Sequence, residues 1–335
     1  MAKEALYWKS LANNIVQCQL CPRFCTIKDG ERGNCGVREN QKGKLFSVVY
    51  GKPASVAVDP IEKKPLYHFL PGEQTLSFGT AGCNLHCLYC QNWKISQCSP
   101  EAIPSYDLLP KDIIKETESH KSRIISYTYT EPTIFYEYMY DTAILAKKQD
   151  IRNVMVSNGF ICQQPLLEVA RYIDAANIDF KGNDGFYKKI TGAWLDPVLE
   201  TLATLKRKKV WIELTNLIIP TLNDSDKDIK FMVNWIAENL GPDVPIHFSA
   251  FWPMHKLSNL PSTSLKTLRK AGKIASKKLN YVYIGNIRDD KGSNTYCPSC
   301  KKLLIGRVGF FIIGENNIIN GKCKFCNEKI AGVWQ

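Results

Sequence analysis

Between residues 75 and 287 the chain alternates short runs rich in β-branched residues with amphipathic stretches of helical period, and no other feature restricts its fold as strongly. Strands are expected over 75–80, 123–129, 153–157, 176–180, 210–219, 245–251 and 281–287. Asp196-Pro197 reads as N-cap and first position of a helix with Val198, Leu202 and Leu205 on one face. Ser225, with Asp228 three residues on, starts another that buries Ile229, Met232, Val233 and Ile236 and stops at Gly241-Pro242. A third starts near residue 263 and carries Leu265, Leu268, Ala275 and Leu279. Such repeats imply a parallel sheet covered by helices. With six or seven units, an α/β fold of the partial or nearly closed (β/α) barrel kind is expected, its active site at the C-terminal ends of the strands.

The loop after the first strand of the repeat holds Cys83, Cys87 and Cys90 in a C-x3-C-x2-C spacing, with Tyr89 just before the last. Three thiolates can hold three corners of a 4Fe–4S cluster and leave the fourth iron open to a small molecule. The rivals are a zinc knuckle completed by His86, or plain buried cysteines. A structural zinc site is normally closed by four ligands, which three cysteines alone do not supply.

Two further cysteine groups flank the repeat. Cys18, Cys21, Cys25 and Cys35, punctuated by Gly30 and Gly33, form a four-thiolate set suited to zinc or to an iron–sulfur cluster. Cys297, Cys300, Cys323 and Cys326 form two C-x2-C knuckles around a β-rich stretch, a zinc-ribbon or rubredoxin-like pattern. Zinc is favoured there over iron, because so short a segment needs a metal to fold. Cys98 and Cys162 remain over as core or loop residues. The segments divide the chain into an amino-terminal cysteine-rich part with a hairpin around Gly51-Lys52-Pro53 (1–72), the barrel (73–290) and the carboxy-terminal metal segment (291–335).

No apolar run is long enough for a membrane span, and Lys3, Glu4, Lys9, Asn13 and Asn14 break up any signal-peptide core. A cytoplasmic setting is expected, in which the 13 cysteines serve as metal and redox ligands rather than disulfides. The formal charge of +12 is what a surface attracting nucleic acid or an acidic protein would carry, and also what solvated lysine-rich helix faces give.

Taken together, these stretches resemble the radical S-adenosylmethionine (radical SAM) superfamily. The resemblance is carried by the three-cysteine loop, Asp59-Pro60-Ile61-Glu62-Lys63-Lys64-Pro65-Leu66, Tyr127-Thr128-Tyr129-Thr130-Glu131-Pro132-Thr133, Asn177-Ile178-Asp179-Phe180-Lys181-Gly182 and Ile218-Ile219-Pro220-Thr221-Leu222-Asn223-Asp224. It extends to Cys18-x-x-Cys21-Pro22, Cys35-Gly36-Val37-Arg38 and Gly332-Val333-Trp334. Within the superfamily the chain is similar to the group that includes pyruvate formate-lyase-activating enzyme, and in detail to the radical SAM component of the AmmeMemoRadiSam system. This implies a 4Fe–4S cluster on Cys83, Cys87 and Cys90 that cleaves S-adenosylmethionine reductively to a 5′-deoxyadenosyl radical. It also implies an electron donor such as flavodoxin or ferredoxin, and Memo-like and Ammecr-like partner proteins.

By the same resemblance Tyr89 lies beside the adenine end of the ligand. Glu131 matches the acid of a Gly-Gly-Glu-Pro segment whose glycines are here Tyr129 and Thr130; it suits an ammonium, or is an exposed acid at a helix start. Asn158 matches a strand-end Asn-Gly that meets ribose or methionine, and reads equally as a turn. Asp179 and Lys181 match a pair whose lysine meets the ligand carboxylate, and strand alternation points both the same way. Thr215 and Asn216 are further candidates to face the pocket, with satisfied core polar groups as the alternative. His247 and His255 have no partner legible in the sequence and read as structural, and Trp252 stands where relatives carry a histidine. Two other functions compete: a glycyl-radical-enzyme activase, and a metal-stabilised RNA-binding module without catalysis.

Overall fold

In the computed structural model, which describes residues 2–289 and 291–335, the alternating region forms one eight-stranded sheet. Its strands are β1 (Ser55–Pro60), β2 (Gln74–Gly79), β3 (Ile124–Tyr127), β4 (Arg152–Ser157), β5 (Ala175–Asp179), β6 (Trp211–Ile218), β7 (Ile246–Ala250) and β8 (Val282–Gly285). Spatial order follows chain order. β2 to β8 run parallel. β1 lies antiparallel on the free edge of β2. Since β1 and β8 do not pair, the barrel is partial, as expected of this α/β fold.

Six main helices connect the strands: α1 (Pro110–Ser119), α2 (Tyr136–Lys148), α3 (Gln163–Val169), α4 (Asp196–Arg207), α5 (Asp226–Asn239) and α6 (Leu265–Ala275). The Ser225 side chain accepts from the Asp228 N–H at the start of α5, and Ile229, Met232, Val233 and Ile236 are its buried face. Beyond its end Gly241 sits at φ +92°, a conformation that favours glycine. At α4 the expected cap is displaced by one residue. Asp196 is already helical and Leu195 precedes it with no side-chain cap bond. The helix still starts there because proline is tolerated in a first turn.

The hairpin expected around Gly51 does not form. Lys44–Ser47 pairs instead with Arg38–Gln41 and with Lys3–Glu4 in a separate three-stranded sheet. Ser55–Pro60 leaves that sheet to become β1. A local hairpin would have left the outer edge of β2 bare, an edge that proteins cover where they can. The barrel sheet therefore draws its first strand from the segment assigned to the amino-terminal part.

The stretch from Ile61 to Leu70 carries only one short 3₁₀ turn, Ile61–Lys63, and fills the floor of the barrel. Ile61, Leu66, Phe69 and Leu70 pack against Ile124, Val154 and Ala175. Tyr67 and His68 donate their backbone N–H groups to the two oxygens of buried Glu213 at 2.9 and 2.7 Å. The carbonyl of Pro65 accepts from Asn177 at 2.8 Å. This irregular backbone is tolerated inside because strand side chains satisfy it.

The carboxy-terminal segment docks on the same floor. It contains a three-stranded antiparallel sheet made of Thr295–Tyr296, Leu303–Val308 and Phe311–Ile313. Buried Arg307 donates to the Tyr67 carbonyl and to Thr295, and lies 3.5 Å from the Glu62 carboxylate. His68 Nδ1 is 2.6 Å from the Ala331 carbonyl and its Nε2 is 2.5 Å from the Tyr283 hydroxyl. Burial pushes the His68 pKa down to about 4, so its ring is neutral near pH 7 and donates from Nδ1.

Candidate active site

The three-cysteine loop leaves the C-terminal end of β2 and lies at the mouth of the barrel. Its entry depends on glycine. Gly82 sits at φ +89°, and a Cβ there would lie 2.5 Å from the Cys35 carbonyl oxygen and 2.6 Å from Val37. The amino-terminal cysteine segment thus presses on the backbone just before Cys83. Gly82→Ala is expected to cost about 2–4 kcal/mol, from a left-handed alanine plus a backbone clash, read as a lowered urea midpoint.

Cys83, Cys87 and Cys90 lie near enough for each of the other two to raise the Cys83 pKa, which burial raises most. Cys83 Sγ accepts from the Leu85 N–H at 3.4 Å, and the Asn158 amide approaches it at 3.9 Å. Cys90 Sγ is 3.2 Å from Ser96 Oγ. The knuckle completed by His86 is not built: Nδ1 is 2.7 Å from Gln97 and Nε2 2.8 Å from Asn34. Three thiolates, with no fourth ligand evident beside them among the described residues, fit a four-iron cluster with one open corner.

The pair expected from strand alternation stands beside this loop. Lys181 Nζ is 2.7 Å from Asp179 Oδ2, and 5.9 Å from the centre of the Tyr89 ring. Burial opposes the charge on Lys181. Asp179, Tyr89, Cys87 and Tyr187 together outweigh it, Asp179 most, and hold the Lys181 pKa above the ordinary lysine value. Asn216 and Asn223 fix the backbone here, both donating to the Lys181 carbonyl, at 3.2 and 2.8 Å.

Asn216 does not share a face with Thr215, since successive strand residues point opposite ways. Thr215 donates inward to Asn177 at 2.9 Å, whereas Asn216 reaches Phe180 O and Lys181 O beneath the sheet. His247 has a partner after all, Glu213 at 2.7 Å, on the barrel floor. His255 stacks on Trp93 with ring centres 5.3 Å apart, and exposed Trp252 donates to Asn286 O.

Glu131 is buried, not the exposed acid that was one reading of it. Its Oε1 accepts from Thr133 N, Thr133 Oγ1 and Ser157 Oγ at 3.0, 2.7 and 2.7 Å, and its Oε2 from Asn158 N at 2.8 Å. Burial pushes its pKa up, while those bonds favour the carboxylate. Asn158 is likewise more than a turn residue. Its Nδ2 donates to Asn84 Oδ1 at 2.9 Å, and its Oδ1 accepts from Phe160 N at 2.8 Å. Glu131, Asn158, Asn84 and Cys83 are therefore a continuous chain of contacts. Asn84, Thr133 and Ser157 are not among the candidates the sequence offers, although each stands within or beside a stretch that carries the resemblance, Asn84 next to Cys83, Thr133 two residues after Glu131 and Ser157 before Asn158.

Tyr129, in place of a glycine, still adopts the glycine conformation, with φ +65°. Such a residue costs about 1–2 kcal/mol. Its side chain compensates by joining the floor segment: the hydroxyl donates to Asp59 at 2.8 Å, and buried Lys64, 2.7 Å from Asp59, lies 4.6 Å over its ring.

The carboxy-terminal thiols of Cys297, Cys300, Cys323 and Cys326 lie within 4.8 Å of one another, and can hold one metal ion. Two of the separations are 3.5 Å (Cys297–Cys326) and 3.7 Å (Cys300–Cys323). These are close to the about 3.8 Å edge of a tetrahedron of thiolates around one zinc. No helix among the described residues is long and apolar enough to cross a membrane.

Residues 78–236 match the family profile of the Radical SAM superfamily. The uncharacterized protein MJ0808 of Methanocaldococcus jannaschii is 47% identical over 330 residues, covering 98% of each chain. The pyruvate formate-lyase-activating enzyme of Clostridium pasteurianum is 28% identical over 174 residues, which cover 50% of this chain and 70% of that one. Among solved structures, Streptococcus suis SuiB bound to its precursor peptide SuiA aligns with a TM-score of 0.52 at 14% identity, over 68% of this chain and 52% of SuiB. That last likeness is one of fold alone.

Proposed function

We propose, since this chain belongs to the radical SAM superfamily, that Cys83, Cys87 and Cys90 hold a 4Fe–4S cluster and that S-adenosylmethionine binds at the mouth beside Tyr89, Asp179 and Lys181. When bound, the cluster supplies one electron that cleaves S-adenosylmethionine to methionine and a 5′-deoxyadenosyl radical, which takes a hydrogen atom from the substrate. The observation that carries the reading is buried Lys181, paired with half-exposed Asp179 and placed against Tyr89 and Cys87. Lys181 offers a charge-assisted donor to the ligand carboxylate, and Asp179 keeps it protonated and aimed. Asn158 directs its amide toward the cluster edge at Cys83 and carries no proton. Glu131, whose Oε1 takes three donors and whose Oε2 takes the Asn158 N–H, acts by holding Asn158.

The finer reading is a member of the AmmeMemoRadiSam system, working with Memo-like and Ammecr-like proteins, reduced by a flavodoxin or ferredoxin, and carrying structural zinc at Cys297, Cys300, Cys323 and Cys326. Its support is the set of sequence stretches that resemble that component, the two cysteine groups outside the barrel, and the close approach of the four carboxy-terminal thiols. The glycyl-radical activase reading is supported by the named activating-enzyme relative, over half of the chain only. Membership of a superfamily of radical enzymes argues against an RNA-binding module without catalysis.

The test is anaerobic reconstitution of the full chain with iron and sulfide, followed by S-adenosylmethionine and dithionite. 5′-Deoxyadenosine should form well above a Cys83→Ala control, and equal amounts would overturn the reading. Lys181→Met should weaken S-adenosylmethionine binding by about 10–100-fold with the iron content unchanged. Equilibrium dialysis reads this directly, and unchanged affinity would remove Lys181 from the site.

A further inference from the structure

The four amino-terminal cysteines and the four carboxy-terminal ones look interchangeable in sequence, yet the fold spaces them differently. Among the described residues, the carboxy-terminal set is the only group of three or more potential ligands whose atoms all lie within 4.8 Å of one another. No three of Cys18, Cys21, Cys25 and Cys35 meet that condition, although all four line one small cavity. Four thiolates on one zinc must stand about 3.8 Å apart. Thiolates on the corners of a four-iron cube stand about 6 Å apart, because each rides on its own iron.

We infer that Cys18, Cys21, Cys25 and Cys35 hold a second, fully cysteine-ligated 4Fe–4S cluster rather than zinc. Three observations besides the spacing support it. The Asn34 backbone N–H donates to Cys25 Sγ at 3.4 Å, and the backbone N–H groups of Leu20, Arg23 and Val37 favour the charged forms of Cys18, Cys21 and Cys35. Such bonds stabilise charged cluster sulfur. The cavity is also lined by Arg38, which is 2% exposed and whose Nε has no hydrogen-bond partner. A buried guanidinium N–H left unpaired is costly, and a bridging sulfide is an acceptor that would satisfy it. Finally, Leu20, Ile27 and Ile134 supply apolar wall, and the polar side chains of Arg23, Asn84 and Thr133 in the lining are bonded elsewhere, to Asn84 O and Gly192 O, to Phe160 O and Asn158, and to Glu131, so the void offers little to hold water.

The site also abuts the three-cysteine loop. Arg23 Nε donates to Asn84 O at 2.6 Å, and Asn84, which lines the cavity, touches Asn158 at the Cys83 edge. The two groups would thus share a wall.

Acid-labile sulfide decides the matter, because neither zinc nor a single iron on four cysteines brings any. Anaerobically reconstituted full-length chain should contain about eight sulfide and eight or nine iron, against about four of each if the amino-terminal site takes zinc. The Cys83→Ala/Cys87→Ala/Cys90→Ala variant should keep about four sulfide and a broad visible absorbance near 400 nm. This separates the inference from the function proposed above, which that variant destroys. A native chain with about four sulfide and two zinc would overturn it, as would a folded triple variant with none. Should the triple variant fail to fold, Cys21→Ser/Cys25→Ser should halve the native sulfide, and an unchanged count would overturn the inference.

Discussion

Arg38→Met is expected to lower the stability of the chain by about 3–5 kcal/mol, because it leaves a buried carboxylate without its cation. Arg38 and Glu137 are 2% and 1% exposed, with Nη1 at 3.0 and 3.2 Å from the two carboxylate oxygens. The pair also ties down the chain start, since the Leu6 N–H donates to Glu137 at 2.7 Å and Arg38 Nη2 donates to the Leu6 carbonyl. Arg38 belongs to the amino-terminal sheet and Glu137 to α2, so this one interaction fastens the cysteine-rich segment onto the barrel. Arg38→Lys should recover little, for an ammonium cannot bridge both oxygens and the carbonyl in one plane. The double change Arg38→Met/Glu137→Leu should recover about half of the loss: the unpaired charge is gone, but Leu6 still lacks its partners. Urea midpoints for the four chains measure all of this. A loss below about 1 kcal/mol for Arg38→Met would mean that water reaches Glu137.

What the sequence reveals here is what rests on local period. The seven parallel strands of the barrel, β2 to β8, appear within two residues of their expected ends, since each is a short apolar run bounded by turn residues. Asp179 and Lys181 could be placed together because two residues two apart on a strand must share a face. The same rule, applied to Thr215 and Asn216, should have separated them. What the sequence hides is contact across long stretches of chain. The filling of the barrel floor depends on Tyr67 and His68 meeting Glu213, 146 and 145 positions away. Nothing in a prolyl segment announces that it will be swallowed by a barrel. The partner of His247 and the burial of Glu131 escape for the same reason.

The cysteine groups show the limit more sharply. Their spacings identify thiolate sites, but the metal follows from how far apart the sulfurs stand, which loops and strands set together. Cys35 reaches its place because Arg38–Gln41 pairs with Lys44–Ser47, and that sheet is held by Arg38 on α2. A local hairpin at Gly51 would have drawn this segment elsewhere. The misread hairpin and the undecided metal are thus one gap, not two.

Glu131→Gln tests whether this carboxylate organises the site. Its Oε1 takes three donors and its Oε2 a fourth. A glutamine can turn its oxygen to one side only, and its NH₂ must then face Asn158 N or the Thr133 and Ser157 donors. At least one buried N–H loses its acceptor, at about 1–3 kcal/mol, and the lost charge weakens the rest, so a fall of about 3 kcal/mol is expected. Because Asn158 holds its place through that bond, its amide should swing from Asn84 and Cys83. S-adenosylmethionine affinity and stability should therefore fall together, whereas Lys181→Met should cost affinity with little stability. Asn158→Ala should reproduce the loss of affinity with a smaller loss of stability. A Glu131→Gln chain that keeps its urea midpoint but loses S-adenosylmethionine would show the opposite arrangement, in which the carboxylate meets the ligand ammonium directly and Asn158 is held by Asn84 alone.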